Sequence, residues 1–278
     1  MSRLKACFKK LGENQKKALI PFITAGDPNA DFTLSCMHTM VEAGADIIEL
    51  GIPFSDPMAD GPVIQQASER ALAAGMSLKG VLAIVEKFRQ KNVLTPIVLM
   101  GYLNPIEFMG YENFAKKAAK VGVDGVLTVD MPPEESEDLC KAYKKHEISP
   151  IYLLSPTSHQ ERIKKITQVA SGYIYYVSLK GVTGSGNLEL TSVSDKLDQI
   201  KQYTALPIAV GFGVKNAKTA SDIARIGDAV VVGSALIERI NENTKDPEKA
   251  KQAVSGLLNS MRLAMDTATI ELNNEVSS

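Results

Sequence analysis

Residues 45–54 read ADIIELGIPF, a run that beyond Asp46 is apolar at both odd and even positions and is broken within by an acid, Glu49. Strands buried on both faces read this way, because a parallel sheet covered by helices leaves neither face to water. Seven further runs have the same character: ALIPFITAG (18–26), PIVLMGY (96–102), VDGVLTVD (123–130), PIYLLS (150–155), GYIYYVSLKG (172–181), LPIAVGFG (206–213) and DAVVVGSA (228–235). Their starts lie mostly about 25 to 35 residues apart, the spacing of βα units.

The segments between these runs carry apolar residues at helical spacing, as in DFTLSCMHTMVEAG and SHQERIKKITQVA. In the second, Ser158 reads as an N-cap with Glu161 completing a capping box. A longer gap after the second run is filled by an additional helical stretch, SLKGVLAIVEKFRQ. Eight βα units in about 260 residues predict an α/β fold, a single-domain (β/α)8 TIM barrel. The leading MSRLKACFKKLGENQKK reads as an extra amphipathic N-terminal helix. An open doubly wound sheet would carry G-x-G-x-x-G after the first strand, and TAGDPNAD does not match it. Residues 1–268 are expected to form the catalytic barrel and 269–278 a frayed tail.

Composition narrows the function. The chain has 278 residues, 45% hydrophobic, with a formal net charge of −1. Near-neutrality argues against nucleic-acid binding, which needs a basic surface. No run approaches the roughly 20 apolar residues of a membrane span, and the N-terminus lacks the apolar stretch of a signal peptide. Cys7, Cys36 and Cys140 are odd in number and far apart, as in a reduced cytoplasmic protein without a disulfide framework. His38, His146 and His159 fall in or beside helices and form no metal-ligand spacing, so no metal is expected.

In such a barrel the active site lies at the C-terminal ends of the strands. Strand parity puts Ile47, Glu49 and Gly51 on one face and Ile48 and Leu50 on the other, which aims Glu49 into the mouth. Its expected neighbours are Phe22, Leu127 and Tyr175. A carboxyl there is desolvated, its pKa rises towards neutrality, and it can both give and take a proton. The following loop holds two more acids, Asp56 and Asp60, and spacing alone does not choose between them. Three late strand ends read LKGVTGSGN, GFGV and VVGSALIERI. Backbone N–H groups exposed by these glycines, with a helix starting at GSALIERI, form a phosphate cradle opposite the acid.

Together IELGIPFSDPMADGP, PFITAGDP, LMGYLNP, GVTG and GFGV resemble the tryptophan synthase alpha chain family, from the N-terminal helix to about residue 268. The resemblance implies a barrel lyase that cleaves indole-3-glycerol phosphate to indole and glyceraldehyde 3-phosphate. It implies Glu49 and Asp60 as the catalytic pair, and phosphate contacts at Gly184, Gly213, Gly233 and Ser234. The indole pocket would comprise Phe22, Met100, Leu127 and Phe212 with Tyr175 nearby, and Thr183 would meet Asp60 as the loop after the sixth strand closes. No cofactor is implied in this chain. Pyridoxal phosphate belongs to a partner beta chain, expected in an alpha2beta2 heterotetramer. Two other readings compete. A Schiff-base lyase would use Lys180, but if Tyr175 faces inward then Val177 and Leu179 share its side and Lys180 does not. A non-catalytic activating subunit would have little use for an acid buried in the mouth.

Overall fold

A computed structural model describes residues 1–177, 187–211 and 213–276, the side chains of 187–189 and 273–276 excepted. Eight parallel strands close a barrel in sequence order: β1 (Ala18–Thr24), β2 (Ile48–Gly51), β3 (Ile97–Gly101), β4 (Gly125–Thr128), β5 (Ser149–Leu154), β6 (Ile174–Val177), β7 (Ile208–Gly211) and β8 (Ala229–Val232). Helix α1 (Arg3–Glu13) precedes β1, and α2 (Ala30–Glu42) follows it. The gap after β2 holds α3 (Pro62–Ala73) and α4 (Leu78–Arg89), and the gap after β3 holds α5 (Leu103–Met109) and α6 (Tyr111–Val121). The remaining helices are α7 (Glu137–Lys145), α8 (Gln160–Val169), α9 (Asn187–Lys201), α10 (Ala217–Ala224), α11 (Ser234–Glu242) and α12 (Pro247–Val276).

Alternation along the strands separates two cores. Outward residues such as Ile48, Leu50 and Leu99 pack against the helical ring, while Ile20, Ile47, Val98, Leu127, Ile151, Tyr173, Ala209 and Val231 fill the barrel interior. The amphipathic α1 is the floor of that interior: its Leu4 and Leu11 are buried in the inner cluster.

Three acids pin the bottom rim. Asp46, Asp124 and Asp228 stand just before β2, β4 and β8, and each accepts a backbone N–H from the preceding strand region. The donors are Leu19 N at 2.8 Å, Ile97 N at 2.9 Å and Ile208 N at 3.0 Å. Each bond satisfies an amide at the end of the ladder, where an unpaired buried group would cost about 1–3 kcal/mol. On the opposite face Arg70 of α3 grips the buried Asp27 with two bonds of 2.8 Å, tying the loop after β1 to the helix that follows β2.

Two expectations need amendment. Ser158 does not cap α8. His159 stands at the N-cap without a side-chain cap bond, and Ser158 Oγ instead accepts Ser155 N at 3.0 Å, consumed by the turn after β5. Helical backbone also continues past residue 268 to Val276. Thr269 is buried there, and its hydroxyl bonds Met265 O.

Candidate active site

Glu49 lies inside the barrel, fully buried. Tyr173 Oη donates to its Oε1 at 2.5 Å, whereas Oε2 is buried and has no hydrogen bond among the described residues. Loss of water pushes the Glu49 carboxyl up to about 7, and the Tyr173 hydroxyl pulls the other way by favouring the charged form. Near neutral pH such a group is protonated or ionised with comparable ease, and its unpaired oxygen is the one free to exchange a proton. Tyr173 is itself seated on Phe8 of α1, with ring centroids 6.0 Å apart.

A cavity of about 330 Å³ opens above Glu49, a volume that suits a small organic ligand. Phe22, Ile64, Met100 and Tyr175 form its apolar wall. Two glycines make room for the rings. A Cβ on Gly51 would stand 2.7 Å from Phe22 Cζ, and one on Gly211 would stand 2.2 Å from Tyr175 Oη. These two positions are small because an aromatic ring occupies the space a side chain would need.

The opposite wall comes from the ends of β7 and β8. Gly213, Gly233 and Ser234 line it, with Lys215 and Glu238. Gly233 is the N-cap of α11 and no side chain among the described residues caps that helix, so the partial positive charge of its first turn is open to the cavity. The neighbouring α10 differs. Its N-cap Asn216 accepts Thr219 N and forms a full capping box, so its own residues absorb those amides. Of the two helix starts at this wall, α11 is the one built for an anion.

Asp60 is half-buried in the loop after β2. Tyr102 Oη donates to its Oδ2 at 3.0 Å while accepting Ala59 N at 3.0 Å. Burial raises the Asp60 carboxyl above its ordinary range, partly offset by the Tyr102 bond. Asp60 borders a small void that shares Phe22, Ile64 and Met100 with the main cavity. Asp56, the alternative, is exposed, bonds Ser55 Oγ at 2.5 Å and lines neither cavity.

Of the residues singled out in the sequence, Glu49, Phe22, Met100, Tyr175, Gly213, Gly233 and Ser234 therefore meet at one cavity, with Asp60 beside it. Leu127 is fully buried in the inner cluster rather than on the cavity wall. Thr183, Gly184 and Phe212 lie outside the described residues, as does Lys180. Tyr173 and Tyr102 carried no sequence assignment. For Tyr173 the signal was present, since it shares strand parity with Tyr175 one layer lower. Tyr102 sits in the quoted LMGYLNP, but its partner lies 42 positions away and only folding brings them together.

A closed eight-stranded barrel, with a buried acid of near-neutral pKa facing an uncapped helix start at its C-terminal mouth, is a barrel enzyme. The family model described as tryptophan synthase alpha chain matches residues 8–266. The tryptophan synthase alpha chain of Thioalkalivibrio sulfidiphilus is 58% identical over 266 residues, covering 96% of this chain and 100% of that one. That of Nitrosococcus oceani is 56% identical, covering 96% and 98%. Among solved structures, tryptophan synthase subunit alpha from Legionella pneumophila superposes with a TM-score of 0.90 at 47% identity, covering 96% of this chain and 99% of that chain. A Mycobacterium tuberculosis tryptophan synthase structure in an aminoacrylate-bound form has a TM-score of 0.85 at 30% identity, covering 95% and 100%. The chain belongs to the tryptophan synthase alpha chain family. Among its described residues no helix is long and apolar enough to cross a membrane.

Proposed function

We propose that this chain carries out the alpha reaction of tryptophan biosynthesis, the retro-aldol cleavage of indole-3-glycerol phosphate to indole and glyceraldehyde 3-phosphate, with Glu49 as the proton-transfer group. Family membership supports the reaction, and one observation carries the mechanism: a buried carboxyl at about 7 with a free oxygen on the floor of a cavity whose far wall suits a phosphate.

Indole is a poor leaving group as a carbanion, so C3 of the ring is protonated before the carbon–carbon bond breaks. Protonated Glu49 supplies that proton, and the positive charge then falls largely on the ring nitrogen. Asp60 accepts a hydrogen bond from that N–H and stabilises the charge, aided by its own partial desolvation. The Glu49 carboxylate left behind removes the proton from the hydroxyl on the carbon attached to the ring. That carbon becomes the aldehyde of glyceraldehyde 3-phosphate, the bond to C3 breaks, and its electron pair returns to the ring as neutral indole. One carboxyl thus gives and recovers one proton, which requires a pKa near the working pH. Phe22, Met100 and Tyr175 hold the indole, while Gly213, Gly233 and Ser234 hold the phosphate, with Gly184 expected to join them. Thr183, which follows β6 in the chain, would meet Asp60 when substrate is bound.

No step calls for a cofactor in this chain. Pyridoxal phosphate is assigned to a beta chain, which would receive the indole in an alpha2beta2 assembly. Exposed apolar side chains near the mouth, Met58 after β2 and Phe108 on α5, support a partner surface there. A cytoplasmic location is in keeping with this reading.

Release of indole from indole-3-glycerol phosphate by the purified chain, with and without a beta chain, tests the proposal. Activity that is raised by the partner and abolished in Glu49→Gln is expected, while wild-type-like turnover of that variant would overturn the mechanism. Asp60→Asn should cost a large part of the rate and Asp56→Asn little, because, of the two, only Asp60 borders the void beside the cavity. The reverse order would move the role to Asp56.

A further inference from the structure

The phosphate cradle proposed above is made of uncharged groups, yet a phosphate monoester carries about −1.5 to −2 at neutral pH. Among the described residues of the cavity wall there is a single cation, Lys215, and the same wall also carries an acid, Glu238. Glu238 lies four residues, one helical turn, after Ser234 on α11, on the face that carries the anion site. Unopposed, its charge would repel the ligand that the helix start attracts.

Lys215 is anchored where it can offset both. Its backbone N–H donates to Thr219 Oγ1 at 3.0 Å, and Asn216 N reaches the same oxygen at 3.2 Å. The adjoining Val214 is buried. The backbone at the lysine is therefore fixed by the capping box of α10, while its exposed side chain forms no ion pair among the described residues.

We infer that Lys215 supplies the countercharge for the substrate's phosphate and that Glu238 works against it, so the pair sets substrate affinity rather than the chemical step. This rests on the reading of the cradle. In the empty site the ammonium is free to lean towards Glu238, and in the filled site it turns to the phosphate. Lys215 is a binding residue and takes no part in proton transfer.

The test is calorimetric titration of the purified chain with glycerol 3-phosphate at low and at high salt, in wild type, Lys215→Gln, Lys215→Arg and Glu238→Gln. Both positions of change, 215 and 238, are exposed, so the three variants should fold, which melting curves would verify. Lys215→Gln should weaken binding by about three- to tenfold at low salt, a range between an exposed pair and a charged hydrogen bond. The difference should shrink at high salt, where exposed charges are screened. Lys215→Arg should retain most of the affinity, and Glu238→Gln should tighten binding by about two- to threefold. In turnover, KM should follow these changes with kcat unaltered. Equal affinity of wild type and Lys215→Gln, or a loss that ignores salt and is not rescued by arginine, would overturn the inference while leaving the cradle standing. Failure of the wild type itself to bind glycerol 3-phosphate would overturn both.

Discussion

Replacing Glu49 by glutamine should make the protein relatively more stable as the pH rises, even as it removes activity. The folded carboxyl titrates at about 7, against an ordinary value of 4.5 in an unfolded chain. The folded state therefore holds a proton that the unfolded state has released between those two values, and stability falls as the pH climbs through this window. Below about 4.5 the acid is neutral in both states and no penalty exists. Above about 7 the penalty is complete, and at 1.36 kcal/mol per pH unit it amounts to about 3 kcal/mol. Glutamine is neutral throughout and keeps the shape, so its stability difference from wild type should drift by about 3 kcal/mol in its favour between pH 5 and pH 9. Other carboxylates titrate alike in both proteins and cancel. Urea unfolding of the two at several pH values, read as the separation of their midpoints, measures the drift directly. A separation that does not change with pH would mean that Glu49 is ionised at its ordinary value, and the proton-shuttle argument would fall with it.

Three further outcomes rest on the same geometry. Tyr173→Phe removes the donor that favours the charged form of Glu49, so the limb of the kcat/KM–pH profile set by Glu49 should move to higher pH by about one unit, and an unmoved limb would refute the coupling. Asp124→Ala leaves Ile97 N without its acceptor and deprives the half-buried Arg89 and Arg3 of their shared carboxylate. A loss of about 3–5 kcal/mol in denaturant unfolding is expected, and a loss below about 1 kcal/mol would show the rim bond to be dispensable. Gly211→Ala drives a methyl into the Tyr175 hydroxyl, so binding of an indole-containing ligand should weaken while the cradle still binds glycerol 3-phosphate. Equal loss of both would indicate a general disturbance of the barrel.

Much of the architecture was legible in the chain because its cause is local and repeated. Each buried parallel strand must be apolar on both faces, each covering helix on one, and eight such pairs leave little choice but to close. All eight apolar runs became strands, and Glu49 faces inward because strand parity has period two. Helix ends were harder. Ser158 before α8 had a second suitor in Ser155 N, and which bond forms depends on a turn that periodicity does not describe.

The site divides along the same line. That an acid interrupts a core strand and that glycines cluster at the last strand ends could be read from the residues, since each is a statement about residue type and parity. Tertiary structure settled which carboxylate of the β2 loop lies beside the cavity: Asp60 is half-buried and bonded by Tyr102 from another strand's loop, whereas Asp56 is exposed and bonded by its neighbour Ser55. It also decided the state of Glu49. Its pKa depends on the absence of water and on a hydroxyl 124 positions away, and neither exists until the barrel is closed.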